Sequence, residues 1–383
     1  MSLHPSRRRI ARIATAGAAV AALTLAGCTT TAGGGGDDAG PIAKEDIVLV
    51  ASVINTANPY FIANIEGAEA LAAELDLPLE IVDSENSSQT EISKIQAILA
   101  QGKKVVMFVN TVASSDTPTI VDAVERAGGY VSIWWNKPDE FEPWEQSDNF
   151  VAFQKHPGIE SGRCNAQAIG DALGGEGNVV MLPGVVDSTT SSTRVDGFKA
   201  ELAENYPGIT ILEEQPSNWD PVLANQNARD LIAKYGDEID AVWSADDGMQ
   251  LGALQAFEDA GLLEQVKFAS DGLYPDTVEL MKEGYGDNAI VGETFHRGYM
   301  ASAIGLYTAY LAATGEIDPS ELPNEQRTSF FDIKCVTPDN LDEYAQYDEP
   351  GAPAAFVKSL IENGPWDTEP ATLVGGGGPE VLE

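Results

Sequence analysis

From residue 46 onward, short apolar runs alternate with amphipathic stretches. "DIVLVAS" (46–52), "LPLEIVD" (77–83), "KKVVMFV" (103–109) and "GYVSIWW" (129–135) are rich in Val and Ile. Runs of this kind predict strands buried on both faces. Between them, apolar residues recur at helical spacing. Ser88 and Glu91 have the pattern of a capping box ahead of Ile92, Ile95 and Leu99, and Gly102 supplies a stop. Thr117-Pro118 opens another helix and Gly128 closes it. After a break at 136–148 the alternation resumes, with strands expected at 149–154, 177–183, 209–214, 239–244, 265–270 and 288–293. The helix after Asp246-Asp247 is the clearest, because Met249, Ala253, Ala256 and Ala260 share a face that Leu254 and Phe257 widen. The pattern predicts an α/β protein with parallel sheets covered by helices on both faces. About eleven strands exceed one ordinary sheet, so two doubly wound lobes are the expected division.

In doubly wound sheets, ligands sit beyond the carboxyl ends of the strands. The residues there are polar or aromatic: Asn58, Tyr60 and Phe61 after the first strand, Asn110 after the third, and Trp135-Asn136 after the fourth. Asp246-Asp247, Asp271 and Glu293 follow later strands. Each also has a purely structural reading. Asn110, Asp246 and Asp271 suit helix caps or turns, and Tyr60 and Phe61 suit the packed first turn of a helix. Caps do not call for aromatics on neighbouring loops, so the set as a whole points to a ligand cleft.

The head of the chain changes the picture of where this happens. Arg7, Arg8, Arg9 and Arg12 precede a short Ala-rich run ending in Leu25-Ala26-Gly27-Cys28. That run is shorter than the ~20 apolar residues a membrane span needs and suits a signal peptide, residues 1–28. Small residues before a cysteine resemble a lipobox, which makes Cys28 the expected lipidation site. "SRRRIA" also resembles a twin-arginine signal, so the export route stays open. Residues 29–45 read as a flexible tether, and 367–383, with "GGGG" at 375–378, as a loose tail. Four of the 22 basic residues and none of the 60 acidic ones lie in 1–28. The remainder therefore has 18 against 60, a net charge of −42, which argues against nucleic acid or anionic lipid as partner. With Cys28 set aside, only Cys164 and Cys335 remain. Outside the cytosol they either form one disulfide or stay as two buried thiols.

No P-loop, GxSxG, HExxH or paired CxxC occurs, and the histidines stand only at 4, 156 and 296. No cofactor or metal is expected. Asp246-Asp247 with Glu293 could be drawn as a glycosidase pair, but among 60 acidic residues such pairs arise by chance.

Four stretches carry a resemblance. "ASVINTANPYFIANIEGAEALAAEL" resembles the opening of ribose-binding-type (type 1) periplasmic solute-binding proteins, with their Asn-Pro-aromatic-aromatic turn. "STTSSTRVDGFKAEL" resembles their arginine loop, and "VWSADDGMQLGALQAFEDAG" and "KFASDGLYPDTVELMKEG" their two later signature strands. The likeness covers roughly residues 46–340. It implies two lobes joined by three crossings near 152, 293 and 333. Lobe one is then 46–152 plus 294–333, and lobe two 153–293 plus 334–366. Cys164 and Cys335 would share lobe two, which favours the disulfide. The resemblance also implies ligand contacts from Asn58, Tyr60, Phe61, Asn110, Trp135, Asn136, Arg194, Trp219, Asp246, Asp271 and Glu293. Trp135 falls on a contact position, leaving Trp134 for packing. Trp135-Asn136 replaces an Asp-Arg pair of the family, Asp246 an Asn and Glu293 a Gln, which puts ribose itself in doubt. The implied function is a monomeric, lipid-anchored receptor on the outer face of the cell membrane, handing a sugar or polyol to the permease of an ABC importer. The alternatives are a sensory module for a membrane receptor, a binder of small cations and a carbohydrate-active enzyme.

Overall fold

The computed structural model describes residues 41–382; the signal segment, Cys28 and most of the tether lie outside the described residues. In chain order the first strands are β1 (Ile47–Val53), β2 (Leu79–Asp83), β3 (Lys104–Asn110), β4 (Tyr130–Trp134) and β5 (Phe150–Lys155). Next come β6 (Glu176–Leu182), β7 (Gly208–Glu214), β8 (Ala241–Ser244), β9 (Lys267–Gly272) and β10 (Ile290–Phe295). The last are β11 (Thr328–Phe331), β12 (Lys334–Val336), β13 (Asp367–Thr368) and β14 (Ala371–Gly376). They form two sheets, ordered β13-β14-β11-β5-β4-β3-β1-β2 and β12-β10-β9-β8-β6-β7. Both are parallel except at one edge, where β14 pairs antiparallel with β11 and with β13 in the first and β12 pairs antiparallel with β10 in the second. The fold is the expected pair of doubly wound α/β lobes. Central strands such as β1, β3 and β5 are buried on both faces, as their unbroken apolar runs require.

Helix boundaries follow local chemistry, with one correction. Helix Ser88–Leu99 is capped by Ser87, whose side chain accepts from Thr90 N at 3.2 Å. Glu91 turns inward instead of closing a capping box. It accepts from Ser52 Oγ at 3.0 Å and Val112 N at 3.1 Å, and burial pushes its carboxyl up to about 8.

The crossings differ from expectation in place and number. β5 runs to Lys155 before the chain enters lobe two at helix Gly158–Leu173, and β10 runs to Phe295 before helix Gly298–Thr314 returns to lobe one. The third crossing lies between β11 and β12. A fourth follows, because helix Ala352–Asn363 packs on helices Pro59–Leu75 and Gly298–Thr314 of lobe one. Its role is visible in helix Gly298–Thr314, buried at every position but Thr314. A helix apolar all round must be enclosed, and the C-terminal helix completes the enclosure. No helix of the described residues is long and apolar enough to cross a membrane.

The segment 367–383 is not a loose tail over its described part. β14 pairs with β11 and extends the sheet of lobe one. Gly376 has φ +143°, and a side chain there would drive its Cβ into the Thr328 carbonyl oxygen. The glycine run therefore serves a close backbone approach rather than flexibility. Glu380 then folds onto the first crossing. It pairs with Lys155 Nζ at 2.6 Å and accepts from Gly158 N at 3.0 Å and Ile159 N at 2.5 Å, the favoured place for an anion on a helix.

Cys164 and Cys335 are joined, with Cα atoms 5.5 Å apart. The bond ties helix Gly158–Leu173 to β12 inside lobe two and leaves the crossings unlinked to one another. Replacing both cysteines by Ser is expected to cost about 2–5 kcal/mol of stability, read from chemical denaturation with and without the bond.

Candidate functional site

The loops beyond the strand carboxyl ends of both lobes face each other. Their side chains are placed by a backbone that leaves the strand conformation abruptly. Trp135 has φ +73°, Trp219 φ +60° and Leu273 φ +52°. Large residues in this left-handed region cost on the order of 1–3 kcal/mol each unless the surroundings enforce them. At Trp135 they do. Its N donates to Gln154 O at 2.9 Å, and its carbonyl accepts from Thr190 Oγ1 at 2.7 Å. The turn also settles the two adjacent indoles. Trp134, the last residue of β4, stacks on Phe331 at 5.5 Å in the core. Trp135 is thrown toward the cleft by its positive φ, not by strand alternation.

The charged centre of the cleft is Arg194, from the first turns of helix Thr189–Asn205 and 3% exposed. Its Nη1 donates to Ala245 O at 2.5 Å, its Nη2 to His296 Nε2 at 3.2 Å, and its Nε lies 3.9 Å from Asp271 Oδ1. The guanidinium also lies 4.9 Å from the centre of the Trp135 ring, a cation–π contact. Asp271 is held in turn by Ser161, by Asn165 Nδ2 at 3.1 Å and by Thr294 Oγ1 at 2.6 Å. Burial raises the Asp271 carboxyl and Arg194 lowers it, with burial the larger effect.

The lobes touch through hydrogen bonds around this centre. Asn58 Nδ2 donates to Asp246 Oδ2 at 3.0 Å and to Trp219 O at 3.3 Å. Ser188 Oγ donates to Asn136 Oδ1 at 2.7 Å. Between the lobes lies a cavity of about 30 Å³, room for a water or two. A second cavity, of about 690 Å³, shares Tyr60 and Tyr274 with the first.

Of the residues expected to contact a ligand, Tyr60, Phe61, Asn110, Trp135, Asn136, Arg194, Trp219 and Asp246 line the small cavity. Asn58 does not; it caps helix Pro59–Leu75, accepting from Tyr60 N, and bridges the lobes. Asp271 stands behind Arg194. Glu293 lies deeper still, accepting from Gln250 Nε2 at 2.6 Å and Ser270 Oγ at 2.8 Å. Burial, reinforced by Asp247, raises its carboxyl well above the usual range. Asp246 fills both its candidate roles, capping helix Asp247–Ala260 and lining the cavity. Ile54, Thr190, Tyr274 and His296 also line the cavity and were not expected there. His296 directly follows β10 and Tyr274 stands two residues after β9, so correct strand ends bring both into view. Among the described residues, no group of three His, Cys, Asp or Glu side chains is placed to hold a metal ion.

Two parallel-sheet lobes with an aromatic cavity between them, centred on a buried arginine, define a two-lobed binding protein. Residues 49–316 match the family described as periplasmic binding protein domain, and the chain belongs to that family. These are solute-binding receptors rather than enzymes, so the carboxylates at 246, 247 and 293 are not an acid–base pair. The chain is 24% identical to the xylitol-binding protein of Mycolicibacterium smegmatis, over 87% of each chain. It is 26% identical to the ribose import binding protein of Salmonella typhimurium, over 64% of this chain and 78% of the relative. A solved twin-arginine translocation pathway signal protein from Burkholderia phytofirmans superposes with a TM-score of 0.77 at 28% identity, covering 88% of this chain and 99% of that one.

Two expectations follow. A Cβ at Gly184 would strike the six-membered ring of Trp219. Gly184→Ala should therefore cost about 1–3 kcal/mol through overpacking and shift the Trp219 emission, both read by fluorescence-monitored denaturation. His156, buried and donating from Nδ1 to Asp332 O at 2.7 Å, is lowered to about 4, chiefly by burial. Its folded value lies below its unfolded one, so its contribution is complete above about 6.5 and is lost as pH falls toward 4. Against His156→Asn, the wild type should lose melting temperature across that window.

Proposed function

We propose that the protein is a lipid-anchored extracytoplasmic receptor that captures a sugar or polyol between its lobes and delivers it to an ABC importer. The observation that carries this reading is the chemistry of the interlobe cavity. Indole and phenol rings from Tyr60, Trp135, Trp219 and Tyr274 line it together with one guanidinium and the amides of Asn110 and Asn136. Rings cover the C–H faces of a carbohydrate, and the polar groups meet its hydroxyls. Relatives named for xylitol and for ribose import support the ligand class and the importer. Anchoring at Cys28 rests on the small residues before it. Export of the folded chain's precursor is supported by its arginine-rich head and by the Burkholderia relative, named for the twin-arginine pathway.

A cationic ligand has less support than the sequence suggested. Asp246 already accepts from Asn58, Met249 N and Tyr274 OH. Asp271 serves Arg194, and Glu293 is outside the cavity wall. No carboxylate is spare for an ammonium.

The test is a thermal-shift screen of the chain without residues 1–28 against xylitol, ribose, other pentoses and hexoses, and small amines. A ligand at ~100 times its dissociation constant adds about 2.7 kcal/mol, a shift of a few degrees. Trp135→Ala should lose at least about tenfold in affinity for whichever sugar binds, since truncating a buried aromatic anchor costs 2 kcal/mol or more. Shifts by amines alone would refute the sugar reading.

A further inference from the structure

Two buried cations stand at the crossings, and each is met by a carboxylate from the C-terminal segment. Lys155 ends β5 and Arg297 immediately precedes helix Gly298–Thr314; each is 4% exposed. Glu380 pairs with Lys155 Nζ at 2.6 Å and also accepts from Gly158 N and Ile159 N, at the start of helix Gly158–Leu173. Arg297 Nε and Nη2 donate to Asp348 Oδ1 and Oδ2 at 2.8 and 2.9 Å, a bidentate fork. Its Nη1 donates to the carbonyl of Gly272, the last residue of β9, at 2.7 Å. None of these four side chains lines the small cavity. A buried charge without its partner is strongly unfavourable, so both cations hold the C-terminal segment to the crossings.

The two pairs sit where bending must occur. Hinge motion is absorbed by a few residues at the ends of elements, and at the first crossing these lie between β5 and helix Gly158–Leu173. Lys155 stands on the lobe-one side of that turn and Gly158 N and Ile159 N on the lobe-two side; Glu380 reaches both from just beyond β14. A single carboxylate meets both sides at only one setting of the backbone between them. At the second crossing Arg297 enters lobe one but bonds Gly272 in lobe two, and Asp348 fixes the guanidinium that makes this bridge. Asp348 itself lies in the fourth crossing, between β12 and helix Ala352–Asn363. Neighbouring contacts hold it there. Tyr299 OH donates to Tyr347 O at 3.1 Å, and the Phe295 ring lies 4.9 Å from that of Tyr344 and 5.0 Å from that of Tyr347.

We propose that the C-terminal segment is a two-point clamp on the hinge, in which Glu380 and Asp348 bias the lobes toward the closed arrangement where Asn58 meets Asp246 and Asn136 meets Ser188. The clamp acts outside the cleft and is independent of which ligand the cleft takes. A closed arrangement populated before ligand arrives raises apparent affinity, because affinity scales with the fraction of molecules that is competent to bind. Residues that touch no ligand thereby set how tightly the ligand is held.

The test uses the chain without residues 1–28 and its Glu380→Ala, Asp348→Ala and double variants, with Glu380→Gln and Asp348→Asn in reserve should an Ala variant fail to fold. Small-angle X-ray scattering without ligand should give a larger radius of gyration for each variant than for the wild type, and the largest for the double variant. A chain ending at Gly378 keeps β14 but has no Glu380, and it should expand as Glu380→Ala does, which separates lobe opening from a frayed tail. Calorimetry with the tightest sugar or polyol from a panel containing xylitol and ribose should show the double variant binding about tenfold more weakly, with saturating ligand restoring the wild-type radius. Variants that lose melting temperature but keep the wild-type radius of gyration overturn the clamp and leave the two pairs as fold-stabilising contacts only. Failure of every member of the panel to bind the wild type removes the sugar reading, while the ligand-free scattering still decides the clamp.

Discussion

Burying the Arg194 guanidinium between two sheets is tolerable only if its charge is countered and its N–H groups are largely met, and much of the cleft is arranged to do so, although Nε has no hydrogen-bond partner. Asp271 supplies the countercharge from β9, Ala245 a carbonyl from the end of β8, and His296 a ring nitrogen from the end of β10. Trp135, from the other lobe, supplies the face of its ring. The demands propagate outward. Asp271 needs Ser161, Asn165 and Thr294, and Trp135 needs a left-handed turn fixed by Gln154 and Thr190. One buried cation thus draws contributions from both lobes and from the second crossing.

The lobes' polar contacts form a ring around this centre. Asn58, Asn136 and the Trp135 carbonyl on lobe one meet Asp246, Ser188 and Thr190 on lobe two. These are small or short polar side chains, and the bonds are of the size that net about 0.5–1.5 kcal/mol each. Such a seam favours closure without making it irreversible, as a receptor that must both take up and release its cargo requires. Ligand binding shifts the lobes only by contacts that differ between open and closed arrangements, and aromatic side chains from both lobes line the cavity between them.

Much of this was legible in the sequence. Alternating apolar runs gave two parallel-sheet lobes, and polar or aromatic residues after the strands marked the cleft. The failures share a physical origin. The strand runs ending at 270 and 293 stop two residues short of the real ends of β9 and β10, at Gly272 and Phe295. Asp271 and Glu293, expected beyond the strands, lie within β9 and β10, while Tyr274 and His296 stand beyond the strand ends and line the cavity. The second crossing was set two residues early for the same reason. At the C-terminus, composition misled: a glycine run has the same letters whether it is a linker or a strand pressed against a neighbouring backbone. Only the partner strand, far away in sequence, distinguishes them.

The C-terminal strands and helix have a consequence for how the molecule is made. Lobe two draws its sheet, apart from the edge strand β12, from one continuous stretch between the first and second crossings. Lobe one instead joins β1 through β5 to residues near the end of the chain, and the enclosure of its buried helix Gly298–Thr314, packed on helix Pro59–Leu75 and the sheet, is completed by Ala352–Asn363. During synthesis, lobe two has nearly all its strands before lobe one has its cover. Strands β1 through β5 must wait with an open sheet edge for β11, helix Gly298–Thr314 and the C-terminal helix to emerge, which places the aggregation hazard of this protein in the lobe begun first.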